Sequence, residues 1–134
     1  MAIYLVENQW GGSSAPWHPG GNWELGARPG QLPVAIDITS HDNGETFVGN
    51  MTYRGEGPIG FKARRTEGSH YAVENQWGGT SAPWHPGGIW LIGSRYPQLV
   101  VALNVKSADN GEDLIGTNTY HGEGPIGFRG HAIP

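Results

Sequence analysis

The chain states one sequence twice, at one fixed offset. Glu7-Asn8-Gln9-Trp10-Gly11-Gly12 returns as Glu74-Asn75-Gln76-Trp77-Gly78-Gly79, and Gly55-Glu56-Gly57-Pro58-Ile59-Gly60-Phe61 returns as Gly122-Glu123-Gly124-Pro125-Ile126-Gly127-Phe128. Laid without a gap over 71–133, residues 4–66 match at 38 of 63 positions. A unit this small buries little surface by itself, so the copies are expected to share a core. Residues 1–134 then form one domain of two tandem repeats, about 1–67 and 68–134. Any site made by the unit should occur twice, which favours a bivalent binder over an enzyme.

Composition narrows the choice. Gly and Pro supply 33 of 134 residues, approaching low complexity, yet six Trp and five Tyr bring enough apolar surface to exclude disorder. A net charge of −4 with no basic run argues against nucleic acid. There is no cysteine, hence no disulfide or thiol chemistry. No signal peptide is recognisable at the start, which sets a cytoplasmic expectation with non-classical release left open, and no segment has the length to insert in a membrane. Asn50-Met51-Thr52 fits the glycosylation pattern by chance, and its counterpart Thr117-Asn118-Thr119 does not.

Alternation dominates the pattern. Tyr4, Val6, Asn8 and Trp10 share one face of a strand, with Leu5, Glu7 and Gln9 on the other. Val34, Ile36 and Ile38 alternate with Ala35, Asp37 and Thr39, as do Val101, Leu103 and Val105 in the second copy. Asp42-Asn43-Gly44 and Asp109-Asn110-Gly111 mark hairpin turns. Each unit reads as five strands, near 3–10, 22–28, 33–40, 45–54 and 59–66 in the first copy, with equivalents at the same offset in the second. Gly11–Gly21 and Gly78–Gly88 read as long loops, and Lys62–His70 as the junction between units, too short and too strand-like for a flexible linker. Ten short strands with common apolar faces suggest a closed antiparallel barrel or a sandwich.

Trp10 and Trp77 each stand where an alternating strand meets Gly-Gly. There an indole can offer its flat face to sugar C–H groups while backbone N–H groups stay approachable; the alternative is a core position. Trp23 and Trp90, alternating with Leu25 and Ile92, belong in the core, and Trp17 and Trp84 in loop packing. Arg28 and Arg95, placed at the end of the second strand of each unit, can hold two oxygens at once. Glu56 and Glu123, between glycines, fit an exposed turn that accepts hydroxyl protons. Both pairs recur unchanged while neighbours drift, as at Asn22/Ile89 and Arg54/His121. Glu7 with Glu56, or Glu74 with Glu123, could instead be the carboxylate pair of a glycosidase, and the Trp- and Pro-rich loops could bind a peptide. His18, His41, His70, His85, His121 and His131 lack metal-ligand spacing, and His18 and His85 read as loop-stabilising. Neither a phosphate loop nor a serine nucleophile motif is present.

The doubled Glu-Asn-Gln-Trp-Gly-Gly-x-Ser-Ala-Pro-Trp and Gly-Glu-Gly-Pro-Ile-Gly-Phe resemble the Oscillatoria agardhii agglutinin family of lectins over essentially the whole chain. The resemblance implies a single compact ten-stranded antiparallel β-barrel built by both repeats. It further implies no enzymatic activity, and metal-free, cofactor-free binding of the branched α-mannose core of high-mannose glycans, including those of viral envelope glycoproteins, by a monomer. It also implies that each site mixes the repeats. One site would join Trp10, Gly11 and Gly12 to Arg95, Glu123 and Gly124; the other would join Trp77, Gly78 and Gly79 to Arg28, Glu56 and Gly57. Four departures stand out: Pro29-Gly30 against Tyr96-Pro97 beside the arginines, which can make the sites unequal; Pro33 against Val100, which favours a strand start or bulge; Asn118 against apolar Met51, which loosens one face; and the ending His131-Ala132-Ile133-Pro134, which puts closure of the last strand in question.

Overall fold

The computed structural model describes residues 2–26, 28 and 30–133. Alternating side chains produce ten strands: β1 (Ala2–Gln9), β2 (Trp17–Leu25), β3 (Pro33–Thr39), β4 (Thr46–Tyr53), β5 (Ile59–Glu67), β6 (His70–Gln76), β7 (Trp84–Leu91), β8 (Val100–Lys106), β9 (Asp113–Tyr120) and β10 (Ile126–Ile133). They close into an antiparallel barrel in the order β1-β10-β9-β8-β3-β4-β5-β6-β7-β2, which settles the choice between barrel and sandwich. The repeats interleave: β1 and β2 lie beside β8–β10, while β6 and β7 lie beside β3–β5. Among the described residues, the closing β2–β7 seam has a single register pair, Glu24 with Leu91.

The inward face of each strand fills the barrel. Tyr4, Val6 and Asn8 are buried, whereas Leu5 between them is 52% exposed. Trp23 and Trp90 are fully buried, as their alternation with Leu25 and Ile92 predicts, and each meets a phenylalanine edge-on, Phe128 at 4.9 Å and Phe61 at 5.2 Å. Tyr4 and Tyr71 reach across the repeats, donating to the Gly111 carbonyl at 2.6 Å and the Gly44 carbonyl at 2.5 Å. Burial pushes both phenols well above the ordinary tyrosine range. In β4 and β9, Gly49 and Gly116 are steric necessities: a Cβ there would stand 2.0 Å from the carbonyl oxygens of Asp37 and Asn104.

Several expectations change. The supposed loops Gly11–Gly21 and Gly78–Gly88 are shorter than expected, because β2 and β7 begin at Trp17 and Trp84 and take in the last five residues of each. Gly20 of β2 and Gly87 of β7 are the extra residues of two bulges, opposite Val6-Glu7 and Val73-Glu74, so that Pro19-Gly20-Gly21 and Pro86-Gly87-Gly88 stay in the ladder without breaking the pairing. The Asn-Gly turns have the expected positive φ, 65° at Asn43 and 69° at Asn110, but six residues, 40–45, connect β3 to β4 rather than a two-residue turn. One expectation holds: the junction at residues 62–70 is no flexible linker, and β5 turns directly into β6 through Gly68-Ser69. Pro33 does open β3 beside a register shift, yet β8 carries the same shift at Val100, so proline is not its cause. Asn118 is fully buried where the first copy has Met51; its amide donates to the Asn8 side-chain oxygen at 3.2 Å, while its own side-chain oxygen is buried without a hydrogen-bond partner among the described residues. The last strand pairs with β1 out to Ile133 opposite Ile3, while Pro134 and Pro29 lie outside the described residues.

Candidate functional sites at the two ends of the barrel

Trp10 follows the end of β1 and Trp77 the end of β6. Seven antiparallel pairings separate those strands around the barrel, so they run in opposite directions and the two tryptophans lie at opposite ends. Interleaving decides what meets them. The β7–β8 loop brings Arg95 to Trp10, its guanidinium carbon 4.8 Å from the indole centre and 4.3 Å from that of Tyr120. At the other end Arg28 lies 5.1 Å from Trp77 and 4.2 Å from Tyr53. A guanidinium between two aromatic rings is held by their quadrupoles and loses little freedom when it binds.

The arginines do not end the second strands, as their position in the sequence suggests. Those strands stop at Leu25 and Leu91. Gly26 and Gly93, with φ of 88° and 93°, then turn the chain away, and a side chain at either would crowd Pro33 or Val100. Each arginine opens a four-residue turn closed by a glutamine amide, Gln31 to the Arg28 carbonyl at 3.1 Å and Gln98 to the Arg95 carbonyl at 2.6 Å.

The carboxylates in the Gly-Glu-Gly turns face these arginines. Arg95 Nη1 donates to both oxygens of Glu123 at 3.1 Å, while Arg28 Nη1 donates to Glu56 Oε2 at 2.7 Å and to the Gln31 side-chain oxygen at 3.1 Å. Gln98 and Gln31 complete each cluster, donating to Glu123 and Glu56 at 2.9 Å. The hydrogen bond from Arg28, then that from Gln31, holds the Glu56 carboxyl below its ordinary range; for Glu123 the bond from Gln98 leads and Arg95 follows. Both stay ionised and can accept from hydroxyls. Gly11 and Gly12, at φ of 91° and 108°, and Gly78 and Gly79, at 91° and 107°, carry the chain past the tryptophans. A Cβ built at Gly12, Gly57, Gly79 or Gly124 would touch nothing within 4 Å, so these backbones face open space.

Other residues take different places. Trp17 and Trp84 stand on strands rather than in loops, under Arg129 at 4.2 Å and Lys62 at 4.3 Å. Those cations also engage Glu7 at 2.7 Å and Glu74 at 3.4 Å, so the carboxylates considered for hydrolysis are committed to ion pairs on the barrel wall. His18 and His85 lie on β2 and β7, their rings 4.6 Å from Trp10 and 4.5 Å from Trp77. Sequence reasoning missed Gln31, Gln98, Tyr53 and Tyr120, although these form two pairs that recur at the repeat offset, Gln31 with Gln98 and Tyr53 with Tyr120. Among the described residues no group of three His, Cys, Asp or Glu could hold a metal ion.

Comparison with known proteins places this geometry. The OAA-family lectin sugar binding domain matches residues 2–66 and again 69–133. Lectin OAA of Planktothrix agardhii is 63% identical over 132 residues, covering 98% of this chain and the whole of that protein. The Myxobacterial hemagglutinin of Myxococcus xanthus is 60% identical, and the chain spans 48% of its length. Among solved structures, the Pseudomonas fluorescens agglutinin superposes with a TM-score of 0.95 at 67% identity, covering 96% of this chain and 98% of that one. The Myxococcus xanthus hemagglutinin in complex with α3,α6-mannopentaose superposes with a TM-score of 0.95 at 59% identity, covering 97% of this chain and 49% of that one. The glycosidase and peptide-module alternatives fall away, and the protein, a carbohydrate-binding lectin rather than an enzyme, belongs to the OAA family.

Proposed function

We propose that this lectin recognises the branched α-mannose core of high-mannose glycans through one site at each end of the barrel. The observation that carries the reading is the repeated cluster in which an arginine, lying on a half-buried tryptophan from the other repeat, is locked to an ionised glutamate. Trp10 and Trp77 stack on sugar C–H faces. Arg95 with Glu123, and Arg28 with Glu56, hydrogen-bond the hydroxyls around the ring edge. The open backbones at Gly11-Gly12, Gly78-Gly79, Gly57 and Gly124 admit the sugar to close range. The mannopentaose complex of a 59% identical structural neighbour supports the choice of sugar.

A net contribution of about 0.5–1.5 kcal/mol per hydrogen bond makes each site modest alone. Two sites on one monomer can engage separate glycans and cross-link glycan-dense surfaces, such as enveloped viruses bearing high-mannose glycoproteins. The test is a glycan array and a titration with α3,α6-mannopentaose, using the wild type, Arg28→Ala and Arg95→Ala. Stoichiometry should fall from two to one in each variant. Mannopentaose binding that survives both substitutions unchanged would overturn the site assignment, and a wild type that binds no mannose glycan would overturn the choice of sugar.

A further inference from the structure

The turn that carries Arg95 also carries Tyr96, and the cluster at the first site makes no use of it. Its side chain is 58% exposed, a large aromatic surface left in water at the rim of a sugar site. The ring is not loose on the surface. The Arg65 guanidinium of β5 lies over it, 5.8 Å from its centre. Arg65 is itself fixed, donating from Nε to Glu45 at 3.1 Å and from Nη1 to the Gly68 carbonyl at 3.4 Å. β5 runs from the Glu56 end toward the end holding Trp10, so Arg65, Glu45 and Tyr96 gather beside the first site.

These are the ingredients of the first site over again: an aromatic face, a guanidinium fork and a carboxylate. A phenol ring can meet the C–H face of a pyranose, and a fixed arginine can donate to two neighbouring hydroxyls without much loss of freedom. Consecutive Cα atoms stand about 3.8 Å apart, so a sugar linked to one resting on Arg95 comes within reach of Tyr96. The second site has no equivalent in sequence. Pro29 stands for Tyr96 and Ala132 for Arg65, with Glu112 alone repeating Glu45.

We propose that Tyr96, Arg65 and Glu45 form an extension subsite that takes an outlying α-mannose on an arm of the glycan whose core fills the first site. The lectin then has one longer site and one shorter. This rests on the assignment of the mannose sites above, and the experiment separates the two. Arg28→Ala leaves only the first site and Arg95→Ala only the second. Each variant, with and without Tyr96→Ser, is titrated with α3,α6-mannopentaose and with a high-mannose oligosaccharide bearing α1,2-linked mannose on its arms.

In the Arg28→Ala background Tyr96→Ser should weaken the longer glycan about 3–10-fold, while mannopentaose changes by less than about twofold. In the Arg95→Ala background neither ligand should respond. An unchanged affinity for the longer glycan, or an equal loss on both ligands, would overturn the subsite and leave the core sites standing. Two sites' worth of mannopentaose retained by both arginine variants would overturn the core assignment and the subsite with it.

Discussion

The two ends of the barrel carry the same residues and use them differently. At the Trp10 end, Arg95 shares one nitrogen between both oxygens of Glu123; at the Trp77 end, Arg28 makes a shorter bond to one oxygen of Glu56 and a further bond to Gln31. The first arginine therefore holds its glutamate more loosely, and Gln98 has the larger part in keeping that carboxylate low. The divergence lies in the middle of the turn, Tyr96-Pro97 against Pro29-Gly30, while the residues that close it are unchanged. Duplication preserved the frame of the site and let its rim drift.

The sharpest way to break the comparison is to remove one end. Arg28→Ala or Arg95→Ala should each reduce agglutination by roughly 10²–10⁴, since the avidity of a second engagement is lost, while the remaining site keeps its own affinity in calorimetry. Agglutination that survives either change would mean that cross-linking does not need both ends. The shared frame should answer equally in both halves. Gly49→Ala and Gly116→Ala place a methyl in the same clash and should each destabilise by about 1–3 kcal/mol in thermal melting, with unequal losses exposing an asymmetry in the barrel itself.

Smaller effects read the difference between the clusters. Gln98→Leu should weaken mannose at the first site about 2–10-fold, and Gln31→Leu should weaken the second by less, because Arg28 already grips Glu56. The smallest effect is in pH. Both glutamates have folded pKa values below those of the unfolded chain, so their contribution is present above the ordinary carboxylate range and lost as pH falls through the lowered values. Binding should therefore hold from neutral pH down through that range and fail only below it. Gln98→Leu should move the failure at the first site upward more than Gln31→Leu does at the second.

The strands were legible because period-two burial is written locally: Tyr4, Val6 and Asn8 could be assigned inward from their spacing alone. The entry into β2 was not, because Pro19-Gly20-Gly21 has the composition of a loop, and only its pairing with β1 shows it to be a strand bulged at Gly20. The contact between Trp10 and Arg95 joins distant parts of the chain and depends on which strands neighbour which, so the family resemblance could suggest it and local pattern could not. Tyr120 and Gln98 escaped for the opposite reason. Their recurrence was visible, but a tyrosine at a strand end and a glutamine in a turn have many ordinary explanations until Arg95 is seen against the one and Glu123 against the other.

Among the described residues a single rung joins β2 to β7, the weakest closure of the barrel, and the strands that meet there lead directly into the loops of Arg28 and Arg95. Below the rung, Ser94 adds a hydrogen bond to the Gly20 carbonyl, for which the first copy, with Ala27 at that position, has no hydroxyl. Breathing of the wall should begin at this slit, and amide hydrogens flanking Glu24 and Leu91 should exchange sooner than those of β4 or β9. Such an opening would loosen both arginine loops in one movement, giving two distant pockets a common hinge.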